Sequence, residues 1–558
     1  MKRNPNALAQ TEFDVLVIGG GIYGATIAWE AVLQGLRVAL IEKNDFASAT
    51  SANSLKTIHG GLRYLQHLDL ARTRESIVER RVLSAIAPHQ IHPLSCIMPT
   101  YGHMIKGPEV MRIGLLLNDL IGFDRNRLND PEKHLPAGKI LSKKRVADLF
   151  PYFDIPNLNG GALWTDAQMF NSERLLLSFI HSGAERGAVV CNYIEATDLL
   201  VDNNRVVGVE AVDHLSGERL SIRARVTLSA TGPWINHLVQ RATSNGSIPR
   251  VALSTALNLV VNRRLTEHYA FGVPSKKVFR DADAVFNKGS RLLFLSPWRG
   301  YTLVGTDHRP FAGEAQDYRV TEEDILAFLE EVNAAMPKAK IAREEVTFFY
   351  GGLLPMAGTN AKTGDVQLEK HFRLLDYGRE HGLEGLIGVL SVKYTTARGV
   401  AESAMRQVMP KLGRRMSRSA SRTTRLWGGE IDRFNDYMET QINQQSARFL
   451  PDITRHLVNT YGSCYTKVLQ MANGDTCALE CLAASTPVLQ AEVIFAVREE
   501  MAVHLADLIL RRTELGSAGY PGDSVVEACA QIMAAELGWS VEQKRKEIAA
   551  VKAVYRPA

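Results

Sequence analysis

Residues 12–43 change hydrophobic period twice. An apolar run, FDVLVIG, gives way to GGIYGATIAWEAVLQG, with apolar positions at helical spacing, and then to a second apolar run, RVALIEK. Short apolar runs bounded by glycine predict buried strands, so this stretch predicts β-α-β with a parallel strand pair. RVTLSATGPW (225–234) predicts another buried strand ending in a Gly-Pro turn. The alternation leading into it, from RVVGVEAVD onward, predicts an antiparallel meander that feeds back into the first unit. RLLFLSPWRGYTLVGTD (291–307) predicts two strands joined by a Pro-Trp-Arg-Gly turn. From about Trp427 apolar residues recur at three and four, as in SCYTKVLQMA, AEVIFAVREEMAVHLADLILRRT and SVVEACAQIMAAELGW, which predicts a separate helical domain. KLGRRMSRSASRTTR (411–425), just before it, is basic, serine-rich and without period, and reads as a linker or exposed loop. No internal repeat interrupts this order.

A chain of 558 residues has room for two to four domains and a large core. Its 46% hydrophobic and 22% charged content is that of a soluble globular enzyme. The 65 basic and 60 acidic residues leave a net charge of only +5, which argues against a general nucleic-acid binder. The six cysteines are scattered. Cys477 and Cys481 lie one helical turn apart with no second pair, so reduced thiols in the core are expected and no metal site. The opening MKRNPNALAQTEFD has no apolar run of signal-peptide type, and no window reaches the roughly 18 to 20 apolar residues of a membrane span.

Chemistry enters with Gly19-Gly20-Gly21-Ile22-Tyr23-Gly24, a G-x-G-x-x-G at the strand-to-helix turn. Gly19 permits the tight turn, Gly21 lets backbone approach a pyrophosphate, and Gly24 lets helix and strand come close. Free N–H groups at the helix start then face the phosphates. Glu42 ends the second strand, 18 residues past Gly24, where a carboxylate accepts from ribose hydroxyls and disfavours a 2′-phosphate. Strand, helix, second strand and Glu42 together predict a bound dinucleotide. The early position of the unit and the later SATGPW turn, with Thr231 and Gly232, are a pairing typical of two-domain flavoproteins, which favours FAD.

Several stretches together resemble the FAD-dependent glycerol-3-phosphate dehydrogenase family and its sister glycerophosphate oxidases. They are DVLVIGGGIYGA, ATSANSLKTIHGGLRYLQ, ERRVLSAIAPH, SATGPWIN, VGTDHRPFAG, LSVKYTTARGVAESAM and the helical 491–513, in order along nearly the whole chain. The resemblance implies an α/β fold: a Rossmann-like FAD-binding domain, an antiparallel-sheet substrate domain and a C-terminal α-helical domain. On that plan the oxidoreductase core spans 12–410, with FAD segments near 12–90, 185–245 and 350–410 and substrate-domain segments between them. A linker follows at 411–426 and the helical domain at 427–558. It also implies glycerol metabolism: hydride transfer from the alcohol carbon of glycerol 3-phosphate to flavin N5, giving dihydroxyacetone phosphate. Electrons pass to quinone in the dehydrogenases and to oxygen in the oxidases.

Residue by residue, His59 matches the family histidine beside the flavin and is the leading base, its ordinary pKa suiting the task. Gly60 and Gly61 would let backbone pass close to the ring system. Arg63 and Tyr64 match the family's anion-binding pair, and Lys393 the lysine between flavin and substrate. Thr395 and Thr396 follow at a helix start, and Ser48, Thr50, Ser51 and Ser54 offer hydroxyls to the cofactor. Two positions depart from the family. Leu354 in YGGLLP stands where an arginine clamps the substrate phosphate, and Asn258 stands where a histidine lies near the substrate. Either Arg63, Lys393 and Arg309 hold the phosphate, or the substrate is another polyol or a hydroxy acid. A flavoprotein without catalysis is a third reading, disfavoured by His59, Arg63 and Lys393.

The segment 104–127 mixes Lys106, Arg112, Arg125 and Arg127 with leucines. It reads equally as an interfacial helix on an anionic membrane or as core. The family places its dehydrogenases peripherally on membranes, which implies a cytoplasmic protein at the inner face of the inner membrane. Homodimerisation is left open.

Overall fold

The computed structural model describes residues 1–102, 107–152, 158–242, 250–277, 291–360 and 364–558. The predicted β-α-β unit is present as strand Phe13–Ile18, helix Ile22–Leu33 and strand Val38–Ile41. The strands pair in parallel, Val15 opposite Val38 and Ile18 opposite Ile41. Every residue of both is buried, so both sheet faces are covered, which explains runs that are apolar throughout rather than alternating. The sheet order is Arg373–Asp376, Leu386–Leu390, Arg219–Ser229, Phe13–Ile18, Val38–Ile41, Val189–Cys191.

The predicted meander is Ile194–Asp202, Arg205–Asp213 and Arg219–Ser229. Its last strand does two jobs. The first half pairs antiparallel with Arg205–Asp213, and the second half runs parallel beside Phe13–Ile18 with Val226 opposite Val15. That crossover delivers Thr231 and Gly232 to the end of the first strand, where the Ala230 N–H donates to the Ile18 carbonyl at 2.9 Å.

A second sheet, eleven-stranded among the described residues, forms the substrate-side domain. It holds the predicted hairpin Leu292–Trp298 and Tyr301–Asp307, with Trp298 opposite Tyr301. The turn residues Arg299 (φ 51°) and Gly300 (φ 92°) are both left-handed, as a two-residue hairpin requires. Its core is built from Phe150, Phe271, Leu295, Val304, Phe328 and Val332.

The structure corrects two expectations. The run 491–513 is not one helix. Helix Gln490–Glu500 stops at Met501 (φ 56°), and a short helix and one π turn, Leu508–Arg512, follow. The cause is Glu500, fully buried: its carboxylate accepts from Arg174 Nη1 at 2.7 and 2.8 Å, and its carbonyl accepts from Arg512 Nε at 3.0 Å. The segment 411–426 has no helix or strand after Lys411 and is exposed over much of its length, as expected, at Gly413, Arg414, Arg415, Ser417 and Arg418 among others, but it is tied to the core at several points. Ser421 is buried and accepts from Arg398, Ser419 donates to buried Glu30, Arg422 pairs with Glu402, and the Leu426 N–H donates to the Ile86 carbonyl. Its polar residues look solvated in sequence because their partners lie far away in the chain. The thiols are free, but Cys477 is exposed rather than in the core.

The leucines of 104–127 are decided too. Helix Pro108–Ile121 buries Leu115, whereas Leu116 is 58% and Leu120 70% exposed, and Phe123 just beyond is 70% exposed. They are not core. Lys106, part of that expectation, lies outside the described residues. Among the described residues no helix is long and apolar enough to cross a membrane.

Candidate active site

A cavity of about 650 Å³ runs between the two sheets. One end is the glycine turn. A Cβ on Gly19 (φ 108°) would sit 2.6 Å from the Ala230 carbonyl oxygen, and one on Gly24 would collide with the Gly19 carbonyl oxygen. These two glycines are therefore demanded by the fold, and Gly24 does not line the cavity. Gly21 does, with only Ser51 Oγ 3.2 Å from where its Cβ would be. Ser51 Oγ accepts from the Ile22 N–H at 2.9 Å and so closes the loop over the helix start. Glu42 accepts from the Gly20 and Asn44 N–H groups at 2.7 and 2.9 Å, while burial pushes its carboxyl pKa up. Fixed in this way at the strand end, it presents its remaining lone pairs to the cavity. Thr231, Gly232 and Trp234 line the same end, with Lys43 Nζ 3.9 Å from the Trp234 ring centroid. A cradle lacking side chains, a helix start and a held carboxylate fit the pyrophosphate and ribose of a dinucleotide.

The other end gathers His59, Gly61, Arg63, Tyr64, Lys393 and Thr395, with Leu354 and Asn258 across from them on the second sheet. His59 and Tyr64 meet edge to face, 5.7 Å between centroids. Lys393 Nζ lies 4.3 Å from the Tyr64 ring centroid. Burial lowers His59 to about 4, not the ordinary value expected from sequence, so it is neutral near pH 7 and able to accept a proton but a weaker base than a free imidazole. Burial, followed by the neighbouring charge of Arg72, lowers Lys393 to about 7. Tyr23, inside the glycine motif, donates its hydroxyl to the Lys393 carbonyl at 2.6 Å and lies 2.7 Å from Ser391 Oγ. The lysine loop is thereby tied to the cofactor cradle.

Two consecutive residues of helix Leu70–Ile86 hold this end together. Glu79 takes a bidentate pair from Arg398, whose Nε donates at 2.7 Å and Nη2 at 2.5 Å, and so pins the helix that follows Lys393. Arg80 pairs with Asp166, whose carboxylate also accepts from the Gly60 N–H at 2.6 Å and from Trp164 Nε1 at 2.9 Å. Gly60 is glycine because a Cβ would collide with Arg80 Nη1, not because it approaches a ring system; it does not line the cavity. Gly61 is left-handed (φ 83°) with the Tyr64 ring 2.7 Å from where its Cβ would be. Thr396 is buried at the start of helix Ala397–Lys411, also off the cavity.

Of the four loop hydroxyls all line the cavity, but three serve the loop itself. Besides Ser51, Thr50 Oγ1 donates to the Leu353 carbonyl at 2.9 Å and Ser54 Oγ accepts from the Lys56 N–H at 3.3 Å. Fully buried Lys56 anchors that loop, donating to the Ala52 carbonyl, Ser172 and Glu173 at 2.7 to 2.8 Å. Leu354 presents an alkyl side chain where an arginine was expected. Asn258 Oδ1 accepts from Thr306 Oγ1 at 2.7 Å. Arg309 is spent on Asp307 at 2.9 Å and Asp324 at 3.0 Å and does not line the cavity, so it holds no phosphate there.

Sequence reasoning missed Arg72, Arg80, Asp166, Arg291 and His308. His308 stands inside VGTDHRPFAG, beside the arginine that was chosen. It lines the cavity, contacts the Thr255 carbonyl through Nδ1 at 3.0 Å, and is lowered to about 4 by burial.

Comparison with known proteins places this geometry. Residues 14–387 match the model for "FAD dependent oxidoreductase", and residues 419–544 the "C-terminal domain of alpha-glycerophosphate oxidase". A glycerol-3-phosphate dehydrogenase of Synechocystis is 31% identical over 98% of this chain and 97% of that protein. An alpha-glycerophosphate oxidase of Streptococcus pyogenes is 28% identical over 96% of this chain and 94% of its own length. The crystal structure of glycerol-3-phosphate dehydrogenase from Bacillus halodurans complexed with FAD superposes with a TM-score of 0.76 at 25% identity, covering 99% of this chain and 96% of that one. The enzyme takes FAD and acts on CH–OH groups, and the chain belongs to the FAD-dependent glycerol-3-phosphate dehydrogenase family together with the alpha-glycerophosphate oxidases.

Proposed function

We propose that the protein oxidises sn-glycerol 3-phosphate, or a close analogue, to dihydroxyacetone phosphate and passes the electrons to a membrane quinone. The observation that carries this reading is the grouping of neutral His59, Lys393, Arg63 and Tyr64 on one cavity wall, next to the dinucleotide cradle. FAD, when bound, supplies the two-electron acceptor for the hydride of the alcohol carbon. His59 takes the hydroxyl proton, Lys393 holds the substrate oxygen, and Arg63 attracts the anionic end. Glu42, the Gly21 turn, Thr231 and Thr395 are the residues that would hold the cofactor. Relatives named glycerol-3-phosphate dehydrogenase support the substrate.

Leu354 favours a second reading, in which the substrate is an unphosphorylated polyol or a hydroxy acid. Anaerobic mixing of the holoenzyme with glycerol 3-phosphate, glycerol, and a panel of polyols and hydroxy acids separates the two. Bleaching of the flavin by glycerol 3-phosphate supports the first. Bleaching only by an unphosphorylated alcohol refutes it. Peroxide release in air would identify oxygen as the acceptor instead of quinone.

The exposed face Ile113, Leu116, Leu117, Leu120 and Phe123, flanked by Arg112 and Arg127, supports peripheral docking on an anionic bilayer. Leu120→Glu combined with Phe123→Glu should abolish sedimentation with anionic vesicles while leaving flavin reduction intact.

A further inference from the structure

Arg72 is a cation of this cavity that the proposed chemistry does not use. It projects from the first turn of helix Leu70–Ile86, where its own N–H is capped by Asp69 at 3.0 Å. Its guanidinium carbon lies 3.9 Å from the Tyr64 ring centroid, the ring that Lys393 Nζ also approaches at 4.3 Å. Both side chains line the cavity. Among the described residues no carboxylate comes within 4 Å of either cation, and Arg72 Nε is buried with no hydrogen-bond partner. The other cavity arginine of the second sheet, Arg291, is answered by Asp307 at 2.8 Å.

Two cations share one aromatic ring with no carboxylate in contact, Glu75 and Asp69 acting on Lys393 only from beyond ion-pair distance, so they repel each other and burial makes that costly. An oxyanion seated between them removes the repulsion and satisfies the orphaned donor. The guanidinium fork can take such a group bidentately while the Tyr64 face holds its plane.

We propose that Arg72, next to Lys393 and in addition to Arg63, is an anchor for the substrate's anion and takes over the charge that Leu354 does not supply. The ligand class is an alcohol bearing an oxyanion, phosphate monoester or carboxylate, held from the helix wall rather than from the sheet wall. This rests on the alcohol-oxidation reading above.

The test uses oxidised holoenzyme and follows the flavin absorption band during titration with inorganic phosphate, acetate and, as neutral control, glycerol. Wild type should respond to an anion, and Arg72→Gln should need about tenfold or more of it for the same response. Arg72→Lys should recover part of the loss, because charge without the fork remains. Whichever of phosphate and acetate is the more weakened in Arg72→Gln identifies the oxyanion. A second readout moves only if Arg72 acts on the reacting groups. Arg72 lowers Lys393, which Glu75 and Asp69 raise, so Arg72→Gln should shift the alkaline limb of flavin reduction to higher pH. Equal anion affinity in wild type and Arg72→Gln, or no anion response in wild type, overturns the proposal. If glycerol 3-phosphate fails to bleach wild type while anion affinity still falls in Arg72→Gln, the substrate assignment is wrong and the anchor stands.

Discussion

Asp45→Asn is the sharpest test of how the helical domain is attached. Asp45 follows the second strand of the cofactor domain, and its buried carboxylate accepts from Arg511 Nε at 2.5 Å and from Arg512 Nη1 and Nη2 at 2.7 and 2.6 Å. Asn192 adds a fourth donor at 3.1 Å. The amide keeps the shape and removes the charge. Arg511 still has Asp507 at 2.7 Å, but fully buried Arg512 loses the one carboxylate it pairs with among the described residues. Leaving a buried charge unanswered costs about 3–5 kcal/mol. Spread over all 558 residues unfolding together, that lowers Tm by about 3–4 °C. If residues 427–558 come off first, the drop is above about 10 °C, so calorimetry also reports which unit melts. Burial alone would raise the Asp45 pKa, but Arg512 and Arg511 outweigh it and hold the carboxyl well below its usual range. A depressed pKa contributes stability that is present above about pH 4 and lost as pH falls through the folded value. The gap between wild type and variant should therefore stay constant from pH 6 to 9 and narrow only in acid. A variant within 1 °C of wild type at pH 7 would refute the argument.

Three further outcomes follow from the same structure. Gly24→Ala should yield protein that retains no FAD by absorption, because the added methyl collides with the Gly19 carbonyl on which the cradle turns. Leu354→Arg should lower KM for glycerol 3-phosphate by roughly tenfold or more with kcat little changed, since a charge-assisted contact is worth about 1.5–3 kcal/mol; an unchanged KM would show that this strand does not face the anion. His456, which burial would lower, is held at about 10 by Glu492 and Glu514. Its contribution, on the order of 5 kcal/mol, is fully present below about pH 6.5 and lost as pH rises through 10; the amide protection factors of helix Pro451–Tyr461, corrected for the base-catalysed intrinsic rate, should fall over that window and stay level in His456→Gln.

The parallel sheet was legible because its strands are buried on both faces, which leaves an apolar run that no other arrangement needs. Gly19, Gly21 and Glu42 were legible because a phosphate-binding turn constrains neighbours a few residues apart. The reading failed where partners are remote. Ser419 and Ser421 look like solvent-facing linker until Glu30 and Arg398 are set against them. Met501 carries no helix-breaking signal of its own; the break is imposed by Arg174 and His181, more than 300 residues earlier. Arg72 and Arg80 sit in an ordinary charged helix, and nothing local says that one meets a cavity and the other a buried aspartate. Arg309 was named for its charge while His308 beside it went unnoticed, and charge was a poor guide because two carboxylates already hold Arg309.

Glu79 and Arg80 share one rigid rod, and through Arg398 and Asp166 that rod gauges the distance between the lysine loop and the histidine loop. Leu354 and Asn258 belong to strands outside this frame. On the proposed reading, a substitution at either rim position would change what enters the pocket and leave the spacing of His59 and Lys393 untouched.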